Sequence, residues 1–361
     1  MTDKNTFKRE TLARVASLVR PALATKDYVP ALTHILFDGG RATAYNDISA
    51  ISVRCDLDLG RCVPGADFSG ALASFGGSEV LVQLSKGDAL SVKCGRGTLR
   101  LQTLPAADFP YEPPGSGGAE FALTTDILRG VERCLLNVGA DSGHPAQSGV
   151  TLDADGGIAV LYSTDGATIS RFVTSTKIKL PGDAPVILPK FFCEQVVSMA
   201  RAFPEAEAFL VLHDGALQAD FGAEATVFTR VPLDVTPLDF PRTFAKHARG
   251  GKDGMFDIPD LFDGALQRAL LVLGQEKLKT ARVHLAKGNL NLSAGSGSSQ
   301  SEDDMKYDWD DADPTEPMRV DAALLARAAK VCTRMSFTES VTAFADADGD
   351  FTHIVAHVAK V

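Results

Sequence analysis

Nowhere in this sequence is there an apolar run near the roughly 20 residues that a helix needs to span a bilayer, so a helical membrane protein is excluded. The start, MTDKNTFKRE, lacks the apolar core of a signal peptide, and the expected compartment is the cytoplasm. Cysteine is scarce. Cys55, Cys62, Cys94, Cys134, Cys193 and Cys332 form no CxxC pair, so they read as reduced core residues and not as disulfides or zinc ligands. Positive charge is also in deficit: a net charge of -10 argues against a protein that coats itself on nucleic acid. Catalytic signatures are missing as well. The seven histidines show no HxH or HExxH spacing, and no GxSxG elbow occurs. The glycine-rich pieces GSGG (115–118) and GSGSS (295–299) lack the strand-to-helix setting and the lysine of a phosphate loop. ADADGDF (345–351) imitates a calcium loop, but its glycine stands fourth instead of sixth and His357 occupies the place of the bidentate glutamate. A hairpin turn is the better reading. No metal, cofactor or catalytic group is expected.

What is present is a globular composition, with 45% hydrophobic and 23% charged residues, in a chain long enough for two or three domains. The chain repeats itself. A segment of helical period opens three times on an apolar residue, at Phe7, Phe121 and Phe256. Each is followed by strands reversing at Asp, Gly or Asn, then by a second helical pattern from Val63, Leu188 or Val320, then by a closing hairpin. Clusters of Pro, Gly and charge at 110–120 and 246–254 read as linkers and divide the chain into 1–118, 119–252 and 253–361. The expected class is α+β, in three similar domains.

Charge is unevenly spread. Residues 302–316 hold eight acids and one lysine, so seven of the ten excess negative charges sit there, as a solvated loop or a docking site. Bases recur on the helical segments: Lys8, Arg9, Arg14 and Arg20 on the first, Arg129 and Arg133 four apart on the second. On the last, Arg327, Lys330 and Arg334 fall at i, i+3 and i+7, one stripe beside an apolar face. An acidic protein whose helices repeatedly show bases can offer one positive surface to a phosphate backbone.

Five segments in order resemble the bacterial DNA polymerase III beta subunit, the DNA sliding clamp family. They are LRLQTLPAADFP (99–110), YSTDGATISRF (162–172), ILPKFFCEQVVSMARAF (187–203), TPLDFPRTF (236–244) and ALQRALLVLGQEKLKTARVHLAKGNLNLSA (265–294). The resemblance runs the length of the chain and implies the DNA-clamp fold: three similar domains per protomer, two protomers closed head to tail, helices lining a ring and antiparallel sheets outside. The implied function is a non-catalytic processivity factor that encircles double-stranded DNA without reading sequence. Its partners would be the replicative DNA polymerase, a clamp loader and a second copy of itself. The bases named above, with Lys26 from a loop, would face the DNA.

By the same resemblance, partners insert a Gln/Leu/Phe-rich peptide into a pocket made of Gln147, Thr164, Gly166, Ala167, Thr168 and Ile169, with Pro237, Arg242 and Thr243. Val341, Val355, His357, Val358, Ala359 and Lys360 would complete it. Ala167-Thr168 stands where the family has His-Arg, and HVAKV replaces a methionine-rich tail, which implies a smaller, stiffer site. The ring would close through Leu99 and Leu101 against Val272 and Leu273, with Arg96 facing Glu302, Asp303 and Asp304 at the rim. Two rival readings are a clamp-like decoy that binds replication partners without encircling DNA, and a cytosolic enzyme with its site at a domain junction.

Overall fold

The computed structural model describes residues 5–26, 28–85, 88–115, 117–139, 144–232, 235–247, 254–274, 276–286, 288–307 and 316–359, without the side chains of Lys246 and His247. Contact density divides the chain into two compact units, residues 1–124 with 191–234, and residues 125–190 with 235–361.

The first unit holds helices α1 (Arg9–Val19), α2 (Gly65–Ser74) and most of α4 (Lys190–Ala202). Helix α1 buries Leu12, Val15, Ala16 and Val19, the i, i+3, i+4, i+7 stripe its sequence predicts. It packs on α2, whose Phe68 meets Phe37 edge to face at 5.3 Å. Gly65 opens α2 without a side chain, since a Cβ there would lie 2.5 Å from Leu23 Cδ1. Two antiparallel sheets accompany the helices. One runs in the order Thr6–Lys8, Glu79–Leu84, Ala89–Cys94, Gly97–Gln102. The other has nine strands and joins distant parts of the sequence: Ala225–Arg230 pairs with Ser49–Arg54, Ala225 opposite Val53 and Thr229 opposite Ser49.

The second unit holds α3 (Thr125–Cys134), α5 (Phe240–His247), α6 (Phe262–Leu273) and α7 (Ala322–Ala329). Its eight-stranded sheet has a similar seam, where Thr168–Lys177 pairs with Phe351–Ala356, Thr168 opposite Val355. A four-stranded sheet ends on Ser299–Lys306.

Several expectations change in detail. Phe7, Phe121 and Phe256 do not open helices; each lies in a short strand just before one, Thr6–Lys8, Ala119–Ala122 and Phe256–Asp257. The segment read as a loop around Glu302, Asp303 and Asp304 is an edge strand, while Asp308 to Asp313 lie outside the described residues. The last helical stripe is cut short. Helix α7 starts at Asp321, whose carboxylate accepts from Ala323 N and Leu324 N, and stops at Ala329. Thr333 N already bonds to Ala345 O, and Arg334 belongs to the strand Arg334–Phe337. Val331, Thr333 and the alternation around Met335 favour extended backbone over a further helical turn. Arg327 and Lys330 therefore do not share a helix face with Arg334.

All six cysteines are buried and outside any disulfide, and burial pushes the thiols of Cys134 and Cys332 up to about 12. No thiolate nucleophile is available at those positions. At the calcium-like loop, Asp346 Oδ1 accepts from Gly349 N at 2.8 Å and Phe351 N at 3.1 Å, which is how an Asx residue closes a hairpin.

Candidate functional site: an apolar pocket and scattered bases

The second unit contains a pocket of about 350 Å³. Its floor is the seam between Thr168–Lys177 and Phe351–Ala356, where Ile169 lies opposite Ile354, extended by the next strand, Val341–Ala345, with Val341 opposite Ala356. One wall is α5, anchored by Phe240 stacked on Tyr162 at 5.2 Å and by Phe244 under the Arg171 guanidinium at 5.6 Å. Phe240 and Phe244 are an i, i+4 pair whose rings join Val160, Tyr162, Ile169 and Ile354 in one buried cluster.

The opposite rim is the turn 164–168. Asp165 Oδ1 accepts from Ala167 N (3.1 Å), Thr168 N (2.7 Å) and Thr168 Oγ1 (2.8 Å), while Thr164 Oγ1 accepts from Gly166 N at 3.0 Å. Gly166 has φ +86, a value that favours glycine. The turn is thus held by four hydrogen bonds to two short side chains and exposes Gly166 and Ala167 beside Gln147.

Of the residues expected in the pocket, Gln147, Thr164, Gly166, Ala167, Thr168, Ile169, Thr243 and Val341 line it. Val355 does not, because strand alternation turns it to the other face while Ile354 and Ala356 point in. His357 is tied back beside it. Its Nδ1 lies 3.3 Å from Glu339 O and its Nε2 3.0 Å from Thr342 Oγ1, and burial lowers its pKa. Pro237, Arg242, Val358 and Ala359 are also outside the lining, and Lys360 lies outside the described residues. Leu238, Asp239, Phe240, Ile354 and Ala356 line it without having been anticipated. Reading 240–247 as a helix would have found Phe240 with Thr243.

No protein-family model matches the chain. It is similar to the beta sliding clamp of Vibrio cholerae, 25% identical over 253 residues that make up 68% of this chain and 66%, just under two thirds, of that protein. The match to the beta sliding clamp of Salmonella typhimurium is longer, 25% identical over 307 residues, 81% of this chain and 80% of the relative. The crystal structure of a sliding clamp from Pseudomonas aeruginosa, a DNA polymerase III beta subunit bound to griselimycin, superposes with a TM-score of 0.83. That match covers 98% of this chain and 99% of that one at 20% identity.

Along most of its length the chain is similar to beta sliding clamps, and it has their fold.

The bases expected to face DNA fall into two groups. Arg9 donates to Gly77 O and Leu72 O at 2.8 and 2.9 Å, closing the end of α2. Arg14 donates to Ala202 O and covers the Phe203 ring at 5.4 Å. Arg129 meets Asp126 (3.2 Å), Asp348 (3.7 Å) and Asp350 (2.9 Å) over the Phe172 ring. Arg327 pairs with Asp165, and Arg334 donates to Asp346 O and Ala347 O. Lys8, Arg20, Lys26 and Lys330 are exposed, Lys26 over the Tyr28 ring at 5.7 Å, and Arg133 is half-buried.

The residues expected at the ring closure are likewise divided. Leu101 and Leu273 are only 5% and 3% exposed and belong to their own cores, while Leu99 and Val272 are half-buried. Arg96 is exposed. Asp303 pairs with Arg268 of α6 in its own chain at 2.5 Å, Glu302 accepts from Asn291, and Asp304 accepts from Asn289 and Asn291. The exposed apolar side chain of α6 is Leu271, at 80%.

Behind the pocket floor, Ser170 Oγ donates to Asn137 Oδ1 at 3.0 Å and so accepts from His353 Nδ1 at 2.9 Å. Burial, and then Arg327, hold the His353 imidazole down at about 4, against a smaller raising effect of Asp165. A depressed histidine stabilises the fold above its unfolded value near 6.5, and that contribution is lost as pH falls through about 4. Between pH 7 and pH 4 His353 is expected to remove about 3 kcal/mol, with His357 adding to it in the same sense. Urea midpoints measured across that range should fall less steeply in His353→Gln, and an equal slope would contradict the assignment.

Proposed function

We propose that the protein works as a DNA sliding clamp, a non-catalytic accessory subunit that encircles duplex DNA and tethers a replicative polymerase. The observation that carries this reading is the clamp fold reproduced over 98% of the chain. A ring holds its polymerase topologically, so tight phosphate binding would act only as a brake, and a few exposed bases in an acidic chain suit sliding. Three successive domains, 1–118, 119–252 and 253–361, would each supply helices to the inner face and sheets to the outside, in the cytoplasm. Among the described residues no helix is long and apolar enough to cross a membrane.

The pocket in the second unit is the docking place for a Gln/Leu/Phe-rich peptide of the polymerase or a clamp loader. Its apolar floor and few polar rim groups suit such a ligand. Ring closure joins two copies head to tail. Gly97–Gln102 and Ser299–Lys306 are both edge strands, one beside Arg96 and Arg100, the other bearing Glu302 and Asp304, so opposite charge favours their meeting. Loading onto a nicked circular plasmid tests the whole reading. The protein should stay with the circle through gel filtration at high salt and be released when a restriction enzyme opens it. Release before cutting would leave the decoy reading in its place.

A further inference from the structure

Arg327 reads in sequence as an exposed base on an amphipathic helix. In space its Nη2 donates to Asp165 Oδ2 at 3.0 Å, and the two side chains are only 36% and 19% exposed. Asp165 uses its two oxygens differently. Oδ1 holds Ala167 N, Thr168 N and Thr168 Oγ1, so it shapes the rim of the pocket, while Oδ2 is held by the last helix. Both oxygens of the carboxylate are held, so any rotation that follows loss of Arg327 displaces all three rim donors together. The same helix packs against Phe351–Ala356, whose His353 and Val355 face it while Ile354 and Ala356 face the pocket. Asp165 lies in the turn that leads into the neighbouring strand Thr168–Lys177, within reach of both faces.

We propose that Arg327 is a positioning residue of the peptide pocket: through Asp165 it fixes the 164–168 turn, and α7 acts on partner binding from behind the sheet. This rests on the pocket binding a peptide. It assigns Arg327 a role other than phosphate contact, because a guanidinium turned to DNA would have to release Asp165. Geometry of this kind transmits changes of modest size, so each single variant is expected to weaken binding about three- to tenfold.

The test uses the full chain and a fluorescein-labelled Gln/Leu/Phe-rich decapeptide, read by fluorescence anisotropy. Arg327→Ala and Asp165→Asn should each lose about three- to tenfold in affinity, and the double variant should lose no more than either, the signature of one shared interaction. Asparagine keeps an acceptor for the turn, so Asp165→Asn breaks the pair without removing the turn's own hydrogen bonds. Arg327→Lys should recover part of the loss. Amide exchange at Ala167 and Thr168 should accelerate in Arg327→Ala while other strands keep their protection. Additive losses, unchanged affinity in Arg327→Ala, or a lowered salt dependence of DNA association in that variant would each overturn the assignment. Leu238→Ala removes pocket wall independently of Arg327. If the parent does not bind the peptide, or this variant binds it as well as the parent, the pocket reading falls and the inference with it.

Discussion

On the proposed head-to-tail ring, a chain carrying Leu271→Asp is expected to sediment as a folded monomer at concentrations where the parent is expected to be a dimer. Helix α6 buries Phe262, Ala265, Leu266, Ala269 and Leu273 on one face, which leaves Leu271 on the other at 80% exposure, next to half-buried Val272. Burying one such leucine in an interface is worth about 1.5 to 3 kcal/mol, and a buried unpaired carboxylate in its place costs more. Within the protomer the same change touches only solvent and should alter stability by about 0.5 kcal/mol or less. The neighbouring Leu273→Ala should do the reverse: it deletes a core side chain, lowers protomer stability by about 2 to 5 kcal/mol and leaves the outer face of the helix intact. Sedimentation and urea denaturation of the two variants separate the effects. A Leu271→Asp protein that remains dimeric would move the ring closure off this helix.

Replacing Lys8, Arg20, Lys26 and Lys330 together with Ala should flatten the salt dependence of DNA association. Each phosphate contact contributes about 0.9 to the slope of log affinity against log salt, so four contacts amount to roughly 3 to 4. These side chains are exposed, whereas Arg9, Arg129, Arg327 and Arg334 already serve backbone carbonyls or carboxylates of their own chain. The comparison variant is Arg129→Ala, which leaves Asp126, Asp348 and Asp350 without their shared cation. It should lower the unfolding midpoint and keep the parental slope. An unchanged slope in the fourfold variant would return those four residues to ordinary solvated surface.

Much of the fold was legible in the sequence because its hairpins announce themselves: FDGGRATAY and LHDGALQAD turn at Asp-Gly or Gly-Gly between alternating strands. The turn 164–168 was legible for a similar reason, since Asp-Gly after a strand carries its own hydrogen-bond chemistry. Elsewhere periodicity misled. Arg327, Lys330 and Arg334 keep helical spacing, but the pairing of Thr333 with Ala345 converts the segment to strand, and no local signal reports a partner twelve residues away. Helix α5 was hidden inside a Pro-containing stretch, and with it Leu238, Asp239 and Phe240. The choice between Leu271 and Leu273 turns on which face of one helix meets its own core, and a helix apolar on nearly every side does not declare that.

The seam between Ala225–Arg230 and Ser49–Arg54 also has a temporal meaning. Val53 pairs with Ala225 and Phe172 with Phe351, in each case across more than 170 positions. At the roughly 5 to 20 residues per second at which chains are synthesised, a strand waits about 10 to 35 seconds after leaving the ribosome before its neighbour exists. During that interval Ser49–Arg54 and then Thr168–Lys177 each present a bare edge of unpaired backbone groups to solvent. Newly made chains are therefore most prone to stick to one another midway through translation, before the strand Phe351–Ala356 that completes the pocket floor exists.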